Sequence, residues 1–238
     1  MISVLVGLPT GGLGANNEWV YRGTPPEWGI GLASLRFPNN TGVTFLPVKG
    51  KPIAEARNEI ADTALNLHSK YCWMIDSDVG LPLLPNPAEQ LLYTLEQSAL
   101  IDPAVMAVTG IYCTRENIPT PLVFRDPDGS GPFWRWKEGD VFPIDWAGAG
   151  CLLVRTEAFR LMEPPWFLGP SGLEDVFFFR KLKRHGFKAI ADGSVLCTHW
   201  DMERNPPRPC RLPLNSYPFQ ATAESEFMAI DAAITAEA

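Results

Sequence analysis

The feature of this sequence that most constrains its fold is an apolar run that ends in two carboxylates. Tyr71–Ile75 has the length and the aromatic and apolar content of a strand that is covered on both faces. Asp76, Ser77 and Asp78 follow it directly. In an open α/β sheet, ligands bind beyond the carboxyl ends of the strands, and residues i and i+2 of an extended chain point to the same side. We therefore expect Asp76 and Asp78 to face one ligand at a sheet edge.

The sequence of this acidic pair is compatible with two interpretations. Neighbouring carboxylate oxygens suit Mg²⁺ or Mn²⁺, and these ions usually complete their coordination with water and substrate phosphates. Asp-Ser-Asp followed by Val79 and Gly80 is also typical of a turn, because Asp and Ser bond their own backbone and Gly accepts positive φ. The choice between a metal site and a simple turn depends on the rest of the chain.

The composition indicates one soluble globular domain whose partners are not nucleic acids. The 238 residues are 46% hydrophobic and 20% charged, which is enough for a sizeable core. The 27 acidic and 20 basic residues give a net charge of −7, so any phosphate binding must come from local groups or a metal. We therefore expect neither DNA nor RNA as a partner.

The cysteines and the apolar runs predict a cytoplasmic location. The five cysteines are an odd number without C-x-x-C spacing, which is typical of buried free thiols in a reducing compartment. No apolar run approaches the roughly 20 residues that span a bilayer, and no signal-peptide pattern opens the sequence. We expect no transmembrane segment, and the sequence does not indicate an oligomeric state.

The order of periodic segments predicts an α/β fold with a mostly parallel central sheet flanked by helices. Residues 1–200 are expected to form one domain, and residues 201–238 a Pro-rich extension with a terminal helix packed on it. Residues 13–40 form a long stretch rich in Gly, Pro and Trp. The expected strands are 2–8, 43–48, 71–75, 104–112 and 189–196, and the expected helices are 52–69, a helix opened by Asn86, and 171–185.

Candidate binding residues lie on several of these segments. Arg57 and Asn58 lie in the first turns of helix 52–69, where a positive helix end and an Arg fork suit a phosphate or a base. By itself, the segment favours the alternative of a solvated or salt-bridged Arg57. Trp134 and Trp136 alternate after a turn-rich loop, so they are either aromatic platforms for a sugar or half-buried core. Gly148-Ala149-Gly150 precedes an apolar strand, and such glycines indicate the close approach of a ligand or another backbone.

Two further candidates come late in the chain. Ser171 and Glu174 have the spacing of a capping box, and Asp175 is suited to any first helical turn, but a helix start can also hold a catalytic carboxylate at a fixed place. His199 follows the last predicted strand, whereas His68 and His185 lie near helix ends and are expected at the surface.

Taken in order, these motifs resemble the GT-A fold of nucleotide-sugar glycosyltransferases, particularly the family 2-like enzymes, over residues 2–200. The resemblance implies a Rossmann-like sheet with a small antiparallel element on the acceptor side. It also implies a Mn²⁺ or Mg²⁺ ion against the donor diphosphate, with Asp78 as a direct ligand, Asp76 reaching the ribose or a metal-bound water, and His199 completing the ligands. The segments that carry it are Ala56-Arg57-Asn58, Asp76-Ser77-Asp78 as the D-x-D motif, Gly148-Ala149-Gly150, Glu174-Asp175 as the E-D motif, and His199.

The activity implied by this resemblance is transfer of a sugar to an acceptor hydroxyl. Asp175 would be the base and Glu174 the capping or acceptor-orienting partner, and a direct displacement would invert the anomeric centre; retaining GT-A enzymes share the metal motifs. The donor is expected to be a UDP-sugar first and GDP-mannose second, and the acceptor a glycan, a lipid-linked molecule or a small molecule. Donor contacts are expected from Pro9, Thr10, Arg57, Asn58, Asp76 and Ser77, and acceptor contacts from Trp134, Trp136, Trp146, Gly148, Ala149 and Gly150.

Two other classes of protein are alternatives. A nucleotidyltransferase acting on sugar phosphates would also use paired carboxylates, but it should carry a Gly- and Lys-rich phosphate loop after the first strand, and residues 9–14 contain neither Lys nor Arg. A carbohydrate-binding protein without activity would use its tryptophans for binding and the acidic pair for a structural ion. The stretch 13–40 departs from the short helix expected after the first strand of family 2 enzymes, which leaves the base contacts open.

Overall fold

The computed structural model describes residues 2–10, 12–13, 19–20, 23–125, 131–169 and 173–212. Its helices are α1 Pro26–Ala33, α2 Ile53–Asn66, α3 Pro87–Ile101, α4 Thr156–Leu161 and α5 Glu174–Arg184. Its strands are β1 Ile2–Thr10, β2 Gly12–Leu13, β3 Trp19–Val20, β4 Thr41–Lys49, β5 Tyr71–Ile75, β6 Val79–Gly80, β7 Val105–Ile111, β8 Val123–Phe124, β9 Val141–Ile144, β10 Trp146–Ala147, β11 Cys151–Arg155, β12 Lys188–Leu196, β13 Thr198–Asp201 and β14 Arg208–Cys210.

A seven-stranded sheet in the order β4-β1-β5-β11-β7-β12-β9 forms the centre of the molecule. Strands β4, β1, β5, β7 and β12 run in one direction, while β11 and β9 run against their neighbours. Small antiparallel sheets join β10 to β8 and β14 to β13 and β6. The prediction of a mostly parallel central sheet flanked by helices is therefore confirmed.

The strand that ends in the acidic pair lies in the middle of this sheet. All five residues of β5 are buried, with β1 on one side and the antiparallel β11 on the other. Helix α2 packs across the neighbouring β1 through the apolar stripe that its sequence predicts, and Gly7 leaves the space that Ile60 fills. These contacts fix the end of β5, and hence Asp76, relative to the first turns of α2.

The structure describes the predicted start of α3 in full and that of α5 only in part. Helix α3 begins as expected, because the Asn86 side chain accepts a hydrogen bond from the Glu89 N–H and Pro87 occupies the first helical position. Helix α5 begins at Glu174 and ends before Gly186, whose φ of 77° suits glycine. The proposed cap Ser171 lies outside the described residues.

The segment around Trp136 differs from one of its two interpretations. Residues 133–137 form no strand, and Trp136 is only 5% exposed, so the prediction of Trp136 as an open sugar platform is wrong. Its Nε1 donates to the Phe133 carbonyl, and its ring stacks on Phe142 of β9. Gly193 in β12 allows this packing, because a side chain there would press on the Trp136 ring. Trp136 is therefore core.

The predicted division of the chain at residue 200 falls inside β13. Strand β14 pairs with β13, so residues 208–210 are part of the same small sheet as β6. The predicted terminal helix lies outside the described residues. All five cysteines are buried and free, as the sequence predicts. In the described part of the chain, every helix is too short or too polar to cross a membrane.

Candidate functional site

The turn at Asp76-Ser77-Asp78 is held by backbone hydrogen bonds from several elements. The Asp76 N–H donates to Gly150 O (3.0 Å), and the Trp200 N–H donates to Asp78 O (2.8 Å). The Asp76 carbonyl accepts from the Val79 N–H (3.1 Å) and from the indole Nε1–H of Trp28 (2.9 Å). The segment is therefore a tight turn, and the turn fixes the positions of two carboxylates.

Arg57 joins the acidic turn to the start of helix α5. Its Nη1 lies 2.6 Å from Glu174 Oε1, and its Nη2 lies 2.9 Å and 3.1 Å from the two carboxylate oxygens of Asp76. The guanidinium is buried and also lies over the Phe167 ring. Such charge-assisted bonds are strong where water is excluded. The salt-bridged interpretation of Arg57 is thus the one that the structure contains, and it brings together two motifs that are 117 residues apart.

Asp175 lies beside this bridge with its proton affinity raised. It is 9% exposed, and its Oδ1 accepts a hydrogen bond from the Val176 N–H (2.9 Å). Burial raises the pKa of Asp175 to about 6, and the nearby Arg57 charge opposes the rise. Burial also raises the pKa of Asp76, again against the attraction of Arg57. Asp175 is therefore a carboxyl group that can exchange a proton close to neutral pH.

Asp78 and His199 converge on the other side of the turn. The Oδ2 atom of Asp78 lies 3.4 Å from His199 Nε2, while His199 Nδ1 lies 2.6 Å from the Cys113 carbonyl oxygen. A carbonyl can only accept, so Nδ1 carries a proton and Nε2 is left to face Asp78. Burial alone would raise the pKa of Asp78, but His199 and Arg115 lower it below its usual value. The His199 ring, with Nδ1 bonded to a carbonyl and Nε2 facing a carboxylate, has the orientation in which proteins hold a metal-binding histidine.

Asp78 and His199 are two of the three metal ligands that the sequence predicts. Within the described ranges, no group of three or more His, Cys, Asp and Glu side chains lies close enough to hold an ion. The two oxygens of Asp76, the third predicted ligand, both accept from Arg57. Asp78 and His199 nevertheless fit a hard divalent ion, because Mg²⁺ and Mn²⁺ commonly take few protein ligands and complete their shell with water and phosphate oxygens.

The glycines before β11 make room for Tyr112. A side chain at Gly148 would overlap the Tyr112 hydroxyl, and the Gly150 N–H donates to that hydroxyl at 2.9 Å. Gly148, Ala149 and Gly150 are all buried. The close neighbour that these glycines indicate is therefore a tyrosine, and the prediction that they contact an acceptor directly is wrong. The Tyr112 ring in turn meets His199 edge-on at 5.2 Å.

The remaining predicted donor and acceptor residues differ in what their side chains contact. The Asn58 side chain bonds the backbone instead of facing a sugar donor. Its Oδ1 accepts from the Trp166 and Phe167 N–H groups, and its Nδ2 donates to the Phe167 carbonyl. Pro9 and Thr10 are buried at the carboxyl end of β1, where Thr10 Oγ1 donates to Val48 O. Ser77, Trp134 and Trp146 are half-buried, and the Trp146 ring stacks on Phe124.

Four residues that shape this site were not predicted from the sequence. Trp28, Trp200 and Tyr112 hold the turn or its neighbours, and Arg115 Nη1 lies 3.3 Å from Asp78 Oδ2. The signal for Tyr112 was the pair of glycines, which require a close neighbour without naming it. For Trp28 and Arg115 the sequence carried no signal, because each contact joins the acidic turn to a distant segment, 48 and 37 residues away in the sequence.

Comparisons with known proteins establish the fold. No protein-family model matches the chain, and no curated protein matches its sequence. The crystal structure of A197 from STIV superposes with a TM-score of 0.58 at 18% identity, covering 89% of this chain and 94% of that one. UDP-glucose pyrophosphorylase complexed with UDP-glucose superposes with a TM-score of 0.51 at 12% identity, covering 87% and 95%. At these identities the likeness is one of fold, and the site must indicate the activity.

Proposed function

We propose that this protein is a metal-dependent glycosyltransferase that moves a sugar from a nucleotide-diphosphate donor to an acceptor hydroxyl. The observation that carries the proposal is the Arg57 bridge, with Asp76 on one side and Glu174 on the other. It places a carboxylate with a pKa of about 6, Asp175, next to the turn that would hold the donor. One end of the site thus suits a diphosphate, and the other suits a hydroxyl that must lose its proton.

Each side chain has a role in this scheme. Asp78 and His199 would hold Mg²⁺ or Mn²⁺ against the donor diphosphate, and the ion would supply positive charge to the departing phosphate oxygen. Asp175 accepts the proton of the acceptor hydroxyl while the new bond forms from that oxygen to the anomeric carbon. The bond from the anomeric carbon to the diphosphate breaks, and the diphosphate leaves with the electron pair. A single displacement of this kind inverts the anomeric centre.

The acidic neighbours of Asp175 support its role as the base. Glu174 is tied to Arg57 at 2.6 Å, so its carboxylate is neutralised and held in place. Asp175 has no ion pair at that distance among the described residues, and burial keeps its proton affinity high. Asp175 is therefore a group whose protonation changes near neutral pH, and Glu174, bonded to Arg57, orients the site.

The donor of first choice is a UDP-sugar, with GDP-mannose second. The likeness of fold to UDP-glucose pyrophosphorylase complexed with UDP-glucose supports this order, because that fold accommodates a uridine diphosphate sugar. The acceptor is a glycan, a lipid-linked molecule or a small molecule. Trp146 and Trp134 are half-buried aromatic side chains that could stack on a sugar.

A thermal-shift panel of nucleotide-sugars with and without Mn²⁺ tests the proposal. Ligands that bind the native state raise the melting temperature in proportion to the logarithm of their saturation. We expect a UDP-sugar to raise it in Mn²⁺, and to raise it less in EDTA. Slow hydrolysis of the same donor would confirm that the protein is an enzyme. A panel in which no nucleotide-sugar shifts the melting temperature, with or without the ion, would contradict the proposal.

A nucleotidyltransferase acting on sugar phosphates is the second candidate. The observation that favours it is the similarity of fold to UDP-glucose pyrophosphorylase over 87% of this chain. The segment after β1 lacks the Lys or Arg that a phosphate loop would use, which is why this candidate comes second. Release of pyrophosphate from UTP and glucose 1-phosphate, without any transfer from a UDP-sugar, would reverse the order.

A further inference from the structure

Arg115 lies on a segment whose backbone is anchored from both sides. The Cys113 carbonyl oxygen lies 2.6 Å from His199 Nδ1, and the Arg115 carbonyl accepts from Arg208 Nη2 at 2.7 Å. The Thr114 N–H donates to Thr120 O at 2.8 Å, which closes the loop that follows β7. The Cα of Arg115 is therefore fixed relative to the acidic turn, and what can move is its side chain.

The side chain itself is weakly held. It is 42% exposed, and its ion pair is with Asp78 Oδ2 at 3.3 Å through Nη1. The contrast with Arg57 is clear, because that guanidinium is 3% exposed and pairs with two carboxylates at 2.6 Å and 2.9 Å. Partly exposed ion pairs contribute little to stability, so Arg115 can leave Asp78 at small cost.

The oxygen that Arg115 contacts is the one that His199 also faces. Asp78 Oδ2 lies 3.3 Å from Arg115 Nη1 and 3.4 Å from His199 Nε2. A divalent ion held between Asp78 and His199 would take this same oxygen and would repel the guanidinium. Arg115 and such an ion are thus competitors for one carboxylate oxygen.

We propose that Arg115 is a diphosphate-binding residue that neutralises Asp78 until a divalent ion binds there, and then turns to the phosphate oxygens of the donor. The inference rests on the proposed function, since it needs both an ion and a diphosphate in the site. An arginine fork binds phosphate oxygens in pairs and keeps its charge at all working pH values. The anchored backbone keeps the guanidinium within one side-chain length of Asp78.

The proposal predicts effects of opposite sign in Arg115→Ala. Titrating Mn²⁺ alone, we expect up to about fivefold tighter binding, because a competing cation has been removed. Titrating UDP in saturating Mn²⁺, we expect about tenfold weaker binding or more, because a charge-assisted bond to phosphate is lost. Arg115→Lys should recover part of the UDP affinity, since a lysine keeps the charge without the fork.

Arg36→Ala is the matched control. Arg36 is also an exposed arginine with one carboxylate near it, Glu89 at 3.8 Å, and its side chain is 66% exposed. Neither affinity should change in that variant. Equal affinities in Arg115→Ala and wild type, or a loss of both, would overturn the role of Arg115 while leaving the proposed function in place. A wild-type protein that binds neither UDP nor GDP in Mn²⁺ would overturn the proposed function and the inference with it.

Discussion

At the scale of single residues, the behaviour of Asp175 follows from where helix α5 begins. The helix start would favour an ionised carboxylate, but the side chain is buried beside Glu174 and its pKa rises to about 6. Arg57, which could have lowered that pKa further, has its short hydrogen bonds to Asp76 and Glu174. The Arg57 guanidinium therefore pairs with the carboxylates of Asp76 and Glu174 and leaves Asp175 able to take up a proton.

The activity should therefore have an acid limb set by Asp175. A base must be ionised to accept a proton, so kcat/KM is expected to rise with pH and to level off above about 6, in line with the raised pKa. Initial rates measured from about pH 5 to about pH 8, a range that includes the expected midpoint, would test this pH dependence of kcat/KM. Asp175→Asn should lose transfer by about a thousandfold while keeping donor binding. A flat profile in the wild-type protein would contradict the assignment.

Asp78→Ala should lower transfer at least about a hundredfold, which is on the order of 3 kcal/mol of transition-state stabilisation. The reason is the loss of the oxygen that lies next to His199 Nε2. Asp62→Ala is a suitable control, because that carboxylate lies on the exposed face of α2 and bonds Asn66. Initial rates with saturating Mn²⁺ would compare the two variants. Near-normal turnover in Asp78→Ala would exclude the metal role of this residue.

At the scale of elements, the acidic turn depends on pieces of chain from across the molecule. Helix α1 contributes the Trp28 indole, β13 contributes the Trp200 N–H, and the segment before β11 contributes the Gly150 carbonyl. The stretch 13–40 is long for the start of such a fold, and its described helix now has a role. It supports the backbone of the residue that begins the acidic pair.

Two glycine substitutions should have opposite effects on the free energy of unfolding. Gly148→Ala is expected to lower it by about 1–3 kcal/mol, because the new methyl group would overlap the Tyr112 hydroxyl. Gly29→Ala in α1 is expected to raise it by about 0.5–1 kcal/mol, because no atom beyond the adjoining helix backbone lies within 4 Å of the added carbon and alanine favours a helix. Urea unfolding of both variants would measure the difference. Equal effects of the two substitutions would contradict the crowding by Tyr112.

At the scale of the whole molecule, the raised pKa of Asp175 is also a cost to stability. A carboxyl group with a pKa near 4 in the unfolded chain and about 6 in the folded one binds more protons when folded between those values. Its contribution is neutral below about pH 4, and it destabilises the fold increasingly as pH rises through about 6. The site is therefore held in place by the stability of the surrounding sheet and helices.

Asp175→Asn should for this reason make the protein more stable while making it inactive. At pH 7.5 the free energy of unfolding is expected to rise by up to about 3 kcal/mol, and at pH 4 by much less. Thermal unfolding at both pH values would measure it, with Asp62→Asn as the surface control. A gain that is the same at both pH values would show that the effect does not come from the ionisation of Asp175.

The sequence by itself predicted the main strands and helices of the central sheet and the order of the motifs. Five apolar residues in a row predict β5, an apolar stripe predicts α2, and an Asn-Pro start predicts α3, because these signals are local. The sequence also predicted that the acidic pair faces polar groups, since carboxylates at the end of a buried strand must face a polar partner or solvent.

Only the tertiary structure decided which groups meet. Whether Arg57 binds a phosphate or a carboxylate, whether Trp136 lies inside or outside, and which residue crowds Gly148 all depend on contacts between distant segments. Asn58 shows the same limit, because it lies next to Arg57 in the sequence yet ties down the backbone at Phe167. A local pattern sets the face on which a side chain lies, but the partner it meets there is set by the packing of the whole chain.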